Sequence, residues 1–475
     1  MKNNVLLFLP VLILFSCGSN SEKTSDVTKP NVIYILADDL GYGDISYFGQ
    51  QKFETPNIDR LAREGMVFNN HYSGNTVCSP SRAVLMTGID PGHVSVRGNA
   101  GENNPVVPLD PNMVTLPRLF KNAGYNTGIF GKWGLGFTYL EGNPNPLTHG
   151  FDEYFGPRTQ STAHTYFTDT LVHNGKQIPV DTTTYMHDLI MNHAMDFIKK
   201  SIAEEHPFFC YIPTPIPHAA MHSPPDLHMK WRKKLPEYDS IIGHYGAGGD
   251  PCPDVINPIA GFAAMMEELD NKIGMILNIL EAAGVDDNTI IMFASDNGSH
   301  LEGGHDPEFW DSNGPFRGHK RDVYEGGIHT PFMVRWPGQI TRGTSSDHIS
   351  AFQDVLPTLA EIINQPIPNQ VTGISFKPTI LGNESSQVKH DYLFFEFTVG
   401  RDQKVVSQAI RMGDWKAVRT VWRKSKEEQE MPIAEWPIEL YNLKDDIGEE
   451  IDLASQNPDL VANAKKLMED ARIDL

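Results

Sequence analysis

The chain has 475 residues, 40% apolar and 21% charged, with 39 basic against 60 acidic side chains and a formal net charge of −21. These proportions exclude a wholly disordered, collagenous or coiled-coil chain and leave room for a large domain plus a smaller one. So acidic a surface is a poor general binder of nucleic acid or anionic lipid, and an anionic substrate requires a locally positive pocket.

Along the chain, a weakly basic start, Met1-Lys2-Asn3-Asn4, precedes an apolar run over residues 5–15. The run has the length of a signal-peptide core and is too short to span a bilayer. It ends in Leu14-Phe15-Ser16-Cys17, which resembles a bacterial lipobox, so Cys17 is the expected site of lipid attachment. The division expected is a signal peptide over 1–16, a lipidated polar tether over 17–29, a catalytic domain over 30–383 and a C-terminal α+β subdomain over 384–475. That start places the protein in the periplasm or on the surface of a Gram-negative cell, touching membrane through its lipid alone.

Four apolar runs each end in chemically capable residues. Residues 31–37 end in Asp38-Asp39, 125–130 in Gly131-Lys132-Trp133, 208–212 lead to Pro217-His218, and 289–294 end in Ser295-Asp296-Asn297-Gly298. Continuous apolar runs mark strands buried on both faces, and functional groups of parallel sheets gather beyond their carboxyl ends. Helical patterns over 113–123 and 260–283, each closed by a glycine, separate them and argue an α/β fold. After residue 383 the runs shorten (392–397, 405–411, 415–420) and a helical pattern covers 458–472, the signature of a small antiparallel sheet with a closing helix. Besides Cys17 there are Cys78, Cys210 and Cys252, without a Cys-x-x-Cys pair, which speaks against a cysteine zinc site.

The segment Cys78-Ser79-Pro80-Ser81-Arg82-Ala83-Val84-Leu85-Met86-Thr87-Gly88 resembles the signature of the formylglycine-dependent sulfatases, with Met86 where leucine is usual. The resemblance runs from about Lys29 to about Leu453. Gly373-Ile374-Ser375 and Glu439-Leu440-Tyr441-Asn442-Leu443 resemble the family's domain junction and C-terminal strand. It implies an alkaline phosphatase-like fold: a large mixed, mostly parallel sheet between helices and a small C-terminal α+β subdomain with an antiparallel sheet. It also implies that a formylglycine-generating or anaerobic sulfatase-maturing enzyme oxidises Cys78 to Cα-formylglycine. The hydrated aldehyde of that residue attacks sulfur with one hydroxyl, and its second hydroxyl then expels sulfate, which a plain serine or cysteine does poorly.

By the same resemblance Asp38, Asp39, Asp296 and Asn297, with residue 78, hold one Ca²⁺, for which hard oxygen donors are suited. Arg82, Lys132 and Lys320 bind the sulfate, and His218 protonates the leaving oxygen. A helix starting at Pro80 would turn Cys78 and Arg82 to one side. One departure stands out: Gly131-Lys132-Trp133-Gly134-Leu135-Gly136 carries Gly134 where relatives have a histidine that contacts the formylglycine hydroxyl. His164 is a possible substitute base or a substrate contact. The expected substrate is a sulfated sugar of galactose or N-acetylgalactosamine type. Its hydroxyls would be read by His164, His300 and Arg317, and Trp133, Tyr166 and Trp310 are possible apolar walls. Two other readings are a formylglycine-dependent phosphodiesterase or phosphonate hydrolase, and a non-catalytic glycan-binding lipoprotein.

Overall fold

The computed structural model describes residues 29–99, 107–139, 144–247, 250–400 and 403–473. The leader, Cys17 and nearly all of the tether lie outside the described residues. Among the described residues no helix is long and apolar enough to cross a membrane.

Ten strands form one sheet: β1 (Asn31–Ala37), β2 (Met66–Phe68), β3 (Asn126–Phe130), β4 (Glu153–Gly156), β5 (Thr170–His173), β6 (Lys176–Pro179), β7 (Phe208–Pro213), β8 (Thr289–Ser295), β9 (Phe332–Arg335) and β10 (Thr344–Ser346). Their spatial order is β10-β2-β9-β8-β1-β7-β3-β4-β5-β6. The central run β8-β1-β7-β3-β4 is parallel, and antiparallel pairs flank it on both sides.

Strand β1 shows why these runs are apolar at every position. Ile33, Ile35 and Ala37 join the core under helices α3 (Met186–Ala203) and α4 (Pro258–Ala282). Val32, Tyr34 and Leu36 join the core under α1 (Cys78–Thr87), α2 (Leu116–Asn122) and α5 (Val355–Ile362). Side chains alternate across a strand, so a sheet covered on both faces has no polar side to display. The register fixes the site: Ala37 pairs with Ser295, and Leu36 with Pro213. The residues that follow β1, β7 and β8 therefore emerge side by side.

Helix α1 starts at Cys78, two residues before the expected Pro80. Proline is tolerated in a first turn because N–H groups there lack a helical acceptor. The helix ends at Gly88, whose φ of 68° is the left-handed cap conformation, with its N–H donating to the Val84 carbonyl (2.9 Å).

The small sheet is antiparallel, β11 (Leu393–Val399), β12 (Lys404–Met412), β13 (Trp415–Thr420) and β14 (Glu439–Asn442). One face packs Phe394, Ile410, Ala417 and Leu440 against Ala464 and Met468 of helix α6 (Pro458–Asp470). The other packs Phe395, Phe397, Val418 and Tyr441 onto Tyr72, Val323 and Ile328 of the large domain. A buried ionic group closes this seam. Lys416 Nζ bridges Glu325 Oε1 (2.8 Å) and Glu449 Oε1 (2.9 Å), and Tyr72 donates its hydroxyl to Glu325 (2.8 Å).

Candidate active site

Asp38, Asp39, Cys78, Arg82, Lys132, His218, Asp296, Asn297 and Lys320 converge beyond the ends of β1, β3, β7 and β8, each buried. The Cys78 thiol, which stands where the formylglycine oxygens would be, lies 3.3 Å from Asp38 Oδ1 and 3.8 Å from Asp39 Oδ1. It is the first residue of α1, so the positive end of that helix faces the cluster, a favourable place for an anion.

The cations are fixed by the acids. Arg82 donates to Asp296 Oδ2 through Nε (3.0 Å) and Nη2 (2.7 Å), and through Nη1 to the Lys132 carbonyl (2.8 Å). Lys132 Nζ donates to Asp38 Oδ2 (2.6 Å), and Lys320 Nζ to Asp39 Oδ2 (2.7 Å). Burial pushes the Asp38 carboxyl up, but Lys132 and Arg82 outweigh it and hold Asp38 well below the usual carboxylate range. Asp296 goes the other way, pushed up to about 7 by burial and by the charge of Asp38.

These residues fit a hard divalent cation. Three buried carboxylates crowd one point, and the buried Asn297 Oδ1 has no hydrogen-bond partner. Asp38, Asp39, Cys78 and His218 also offer donor atoms within 4.8 Å of one another. Charge bookkeeping agrees. Asp38, Asp39, Asp296 and Glu302 face Arg82, Lys132, Lys320 and Arg321, four acids against four cations, so a divalent cation would leave the cluster net positive and receptive to an anionic sulfate ester.

His218 Nδ1 lies 2.6 Å from the Ala219 carbonyl, which can only accept, so Nδ1 carries a proton. Its Nε2 is left facing Lys320 Nζ at 2.9 Å and Asp39 Oδ2 at 3.0 Å. His164 stacks on His218, ring centroids 3.8 Å apart and planes 3° from parallel. Its Nε2 is 3.3 Å from Lys132 Nζ, and its Nδ1 3.2 Å from the Tyr245 hydroxyl. Burial first, then His218 and Lys132, hold His164 well below the ordinary imidazole range. Gly134 sits at φ 74°, and a Cβ there would lie 3.2 Å from Arg82 Cδ. A histidine at 134 is thus disfavoured by the backbone as well as by Arg82.

Several expectations need correction. Arg317 does not face the cluster: its guanidinium lies 3.9 Å over Tyr324 and donates to the Tyr441 hydroxyl (3.0 Å) and the Glu449 carbonyl (2.7 Å), tying the two domains together. His300 lies within the cluster, 5.4 Å from His218 ring to ring, but both its ring nitrogens are engaged by backbone, Nδ1 accepting from the Glu302 N–H (3.1 Å) and Nε2 facing the Pro217 carbonyl (3.4 Å), so it backs the site. Trp133, Tyr166 and Trp310 are core residues, not walls. Tyr166 shapes the site from behind, its hydroxyl donating to the Pro215 (2.7 Å) and His218 (2.8 Å) carbonyls.

Three residues escaped the sequence reading. Glu302 accepts from Lys320 (3.1 Å) and from Arg321, and Tyr245 stacks edge-on against His164 and His218. Glu302 and Arg321, with side-chain exposures of 21% and 34%, and the half-buried Tyr245 are groups of the cluster that reach solvent. Arg321 had a signal, since it follows Lys320 directly. Glu302 lies five residues beyond Asn297, and Tyr245 lies in a loop without a motif.

A parallel sheet with paired acids, two lysines and an arginine around a helix-N-terminal nucleophile position defines an alkaline phosphatase-like ester hydrolase. The model of the Sulfatase family matches residues 30–364, and that of the N-sulphoglucosamine sulphohydrolase C-terminal region matches residues 316–469. The chain belongs to the sulfatase family, the sulfuric ester hydrolases. It is 30% identical to an N-acetylgalactosamine-6-O-sulfatase of Bacteroides thetaiotaomicron over 99% of both chains. It is 33% identical to the human N-acetylgalactosamine-6-sulfatase over 74% of this chain and 66% of that one, spanning about two thirds of the human protein's length. Among solved structures, Ps i-CgsB superposes with a TM-score of 0.76 at 28% identity, covering 93% of this chain and 92% of that one; it has also been solved in complex with a neocarrahexaose.

Proposed function

We propose that this chain removes sulfate from a sulfated galactose or N-acetylgalactosamine unit of a glycan, using Cα-formylglycine at residue 78 and one Ca²⁺. The observation that carries the reading is the buried, charge-balanced cluster around Cys78, with Lys132 and Lys320 each held by one member of the Asp38-Asp39 pair. The end-to-end similarity to an N-acetylgalactosamine-6-O-sulfatase supports the sugar.

The formylglycine hydrate supplies the nucleophile and the internal release of sulfate, and Ca²⁺, held by Asp38, Asp39, Asp296 and Asn297, supplies polarisation of a sulfate oxygen. This chain's own side chains do the rest. Arg82, Lys132 and Lys320 are already oriented by carboxylates, so they meet the developing charge without reorganisation. The Lys320–His218 contact at 2.9 Å offers a proton route towards the leaving sugar oxygen. His164 takes the role that Gly134 vacates, joined to the cluster through Lys132, with Lys132 and Tyr245 fixing its ring. Glu302 and Tyr245, at the opening, read the sugar hydroxyls. A site that hydrogen-bonds hydroxyls discriminates against analogues lacking them.

The test is sulfate release by matured, Ca²⁺-loaded protein from 6-sulfated and 4-sulfated N-acetylgalactosamine and galactose, an aryl sulfate and an aryl phosphate diester. The reading expects kcat/KM on one sulfated sugar to exceed that on the aryl sulfate by about 100-fold or more. Preference for the phosphodiester would overturn the chemistry, and failure on every sugar would overturn the substrate. Chelation is expected to abolish turnover and Ca²⁺ to restore it, with one bound Ca²⁺ per chain by metal analysis. The lipobox at Cys17 supports a lipid-anchored protein of the periplasm or cell surface. Metabolic labelling with a fatty acid, lost in Cys17→Ala, checks that placement.

A further inference from the structure

Away from the strand-end cluster, Glu153, His173 and His193 bring a carboxylate oxygen and two imidazole nitrogens within 4.8 Å of one another, each side chain half-buried. The fold itself makes this arrangement. In the antiparallel β4–β5 pair, Phe155 lies opposite His173. Glu153, two residues before Phe155, shares its face of the sheet, so Glu153 and His173 are diagonal neighbours. Helix α3 crosses that face and lays His193 flat on Phe155, ring centroids 3.6 Å apart and planes 14° from parallel. The His173 and His193 rings are then 5.4 Å apart.

We propose that Glu153, His173 and His193 form a second metal site, for a zinc-class divalent ion, that clips α3 to the β4–β5 edge. The loose His173–Glu153 ion pair accounts for only two of the three groups. His173 Nε2 stands 3.5 Å from Glu153 Oε1, beyond hydrogen-bond length for a charged pair, and among the described residues none of the three side chains makes a hydrogen bond. Ligand atoms about 2.0–2.2 Å from a tetrahedral zinc lie roughly 3.4 Å apart. The Glu153–His173 spacing already has that value, and the third atom, within 4.8 Å of both, can be brought in by rotamer adjustment of half-buried side chains.

The donor set also selects the metal. Two imidazoles and one carboxylate suit zinc and its neighbours, whereas the oxygen-rich cluster at Asp38 and Asp296 suits Ca²⁺, so the two sites discriminate between ions. Burial, with His173 beside it, holds His193 below the ordinary imidazole range, which favours the neutral ring that binds metal. Three protein ligands leave a fourth position for water.

Equilibrium dialysis of the full, Ca²⁺-loaded chain against Zn²⁺ with elemental analysis tests the site. One zinc per chain is expected at micromolar free Zn²⁺, retained in Cys78→Ala and weakened by about tenfold or more in His193→Gln and in Glu153→Gln. Co²⁺ in place of Zn²⁺ should give the visible bands of a four- or five-coordinate ion in the wild type and lose them in both variants. Sulfate turnover of both variants should stay at the wild-type level. The proposal is overturned if the wild type binds no zinc at this concentration, or if zinc persists in His193→Gln. It is equally overturned if zinc is lost in Asp296→Ala and kept in His193→Gln, since the ion would then sit in the strand-end cluster. Should His193→Gln fail to fold, Glu153→Gln decides, because its side chain is 26% exposed and carries little packing.

Discussion

Two buried charge clusters lie in this molecule, one beyond the strand ends and one in the seam between the two sheets, and they solve the same electrostatic problem for different ends. At the seam, Lys416 sits between Glu325 and Glu449, and Glu325 also accepts from Tyr72 and lies 2.9 Å from His329 Nδ1. Burial raises the Glu325 carboxyl, but Lys416 and His329 outweigh it and hold it low, while burial and the charge of Glu325 push Glu449 up to about 7. That group is closed to solvent: the side chains of Glu325, Lys416 and Glu449 are fully buried, and its cation is held between two carboxylates of the protein itself. At the strand ends Asn297 Oδ1 also lacks a partner, but there Glu302 and Arg321 reach solvent. The difference separates an ionic joint from a reaction centre: the joint is sealed within the fold, and the centre opens to solvent, where metal and substrate can complete it.

Substitutions in each cluster should therefore fail in different ways. The largest effect is expected from Cys78→Ala, which should lower kcat on any sulfate ester by more than about 1,000-fold. Its unfolding free energy should stay within about 1 kcal/mol of wild type, because only a small group is removed. Steady-state kinetics with urea titration reads both. Lys416→Met should show the reverse. Stranding Glu325 and Glu449 without their cation costs about 3–5 kcal/mol of stability, while the folded fraction keeps its kcat. A Lys416→Met protein that is stable but inactive would mean that the seam takes part in catalysis.

His164→Ala sharpens the account inside the reaction centre. With Gly134 unable to supply a base, kcat should fall by about 10- to 100-fold, with a smaller change in KM, and single-turnover kinetics should show accumulation of sulfated enzyme. An unchanged kcat would return His164 to a packing role. A pH slope extends the comparison to a third site. Asp44 is a buried carboxyl outside both clusters, accepting from the Gly41 N–H (2.8 Å) and pushed up to about 8 chiefly by burial. Between about pH 4 and 8 the folded state keeps a proton that the unfolded state has lost, so stability should decline as pH rises through that window. Asp44→Asn should flatten this decline. The variant shows what one buried acid without a cation costs.

Much of the reaction centre was legible because its residues sit at strand ends and in short motifs, where apolar runs give way abruptly to Asp38-Asp39, Lys132 and Asp296-Asn297. The seam was not legible. Glu325, Lys416 and Glu449 are widely separated in the chain, and each alone reads as a solvated charge. The same limit produced the errors at the site. Arg317 lies in the same motif-rich segment as Lys320, but the chain turns between them at Gly318, at φ 87°, and sends the two cations to different clusters. Trp133 stands beside Lys132 in sequence yet fills the core beneath, since a large ring next to a buried strand end is drawn to apolar packing. Glu302 and Tyr245 reach the opening through loops whose course no local pattern encodes.

The central claim is that the strand-end cluster acts through an oxidised residue 78. Mass spectrometry of the residue-78 peptide, measured on the same preparations whose sulfate release is assayed, tests it most directly. The account predicts that kcat rises in proportion to the fraction of Cys78 converted to formylglycine and extrapolates to no turnover at zero conversion. Full turnover by protein that carries an unmodified Cys78 thiol would contradict it.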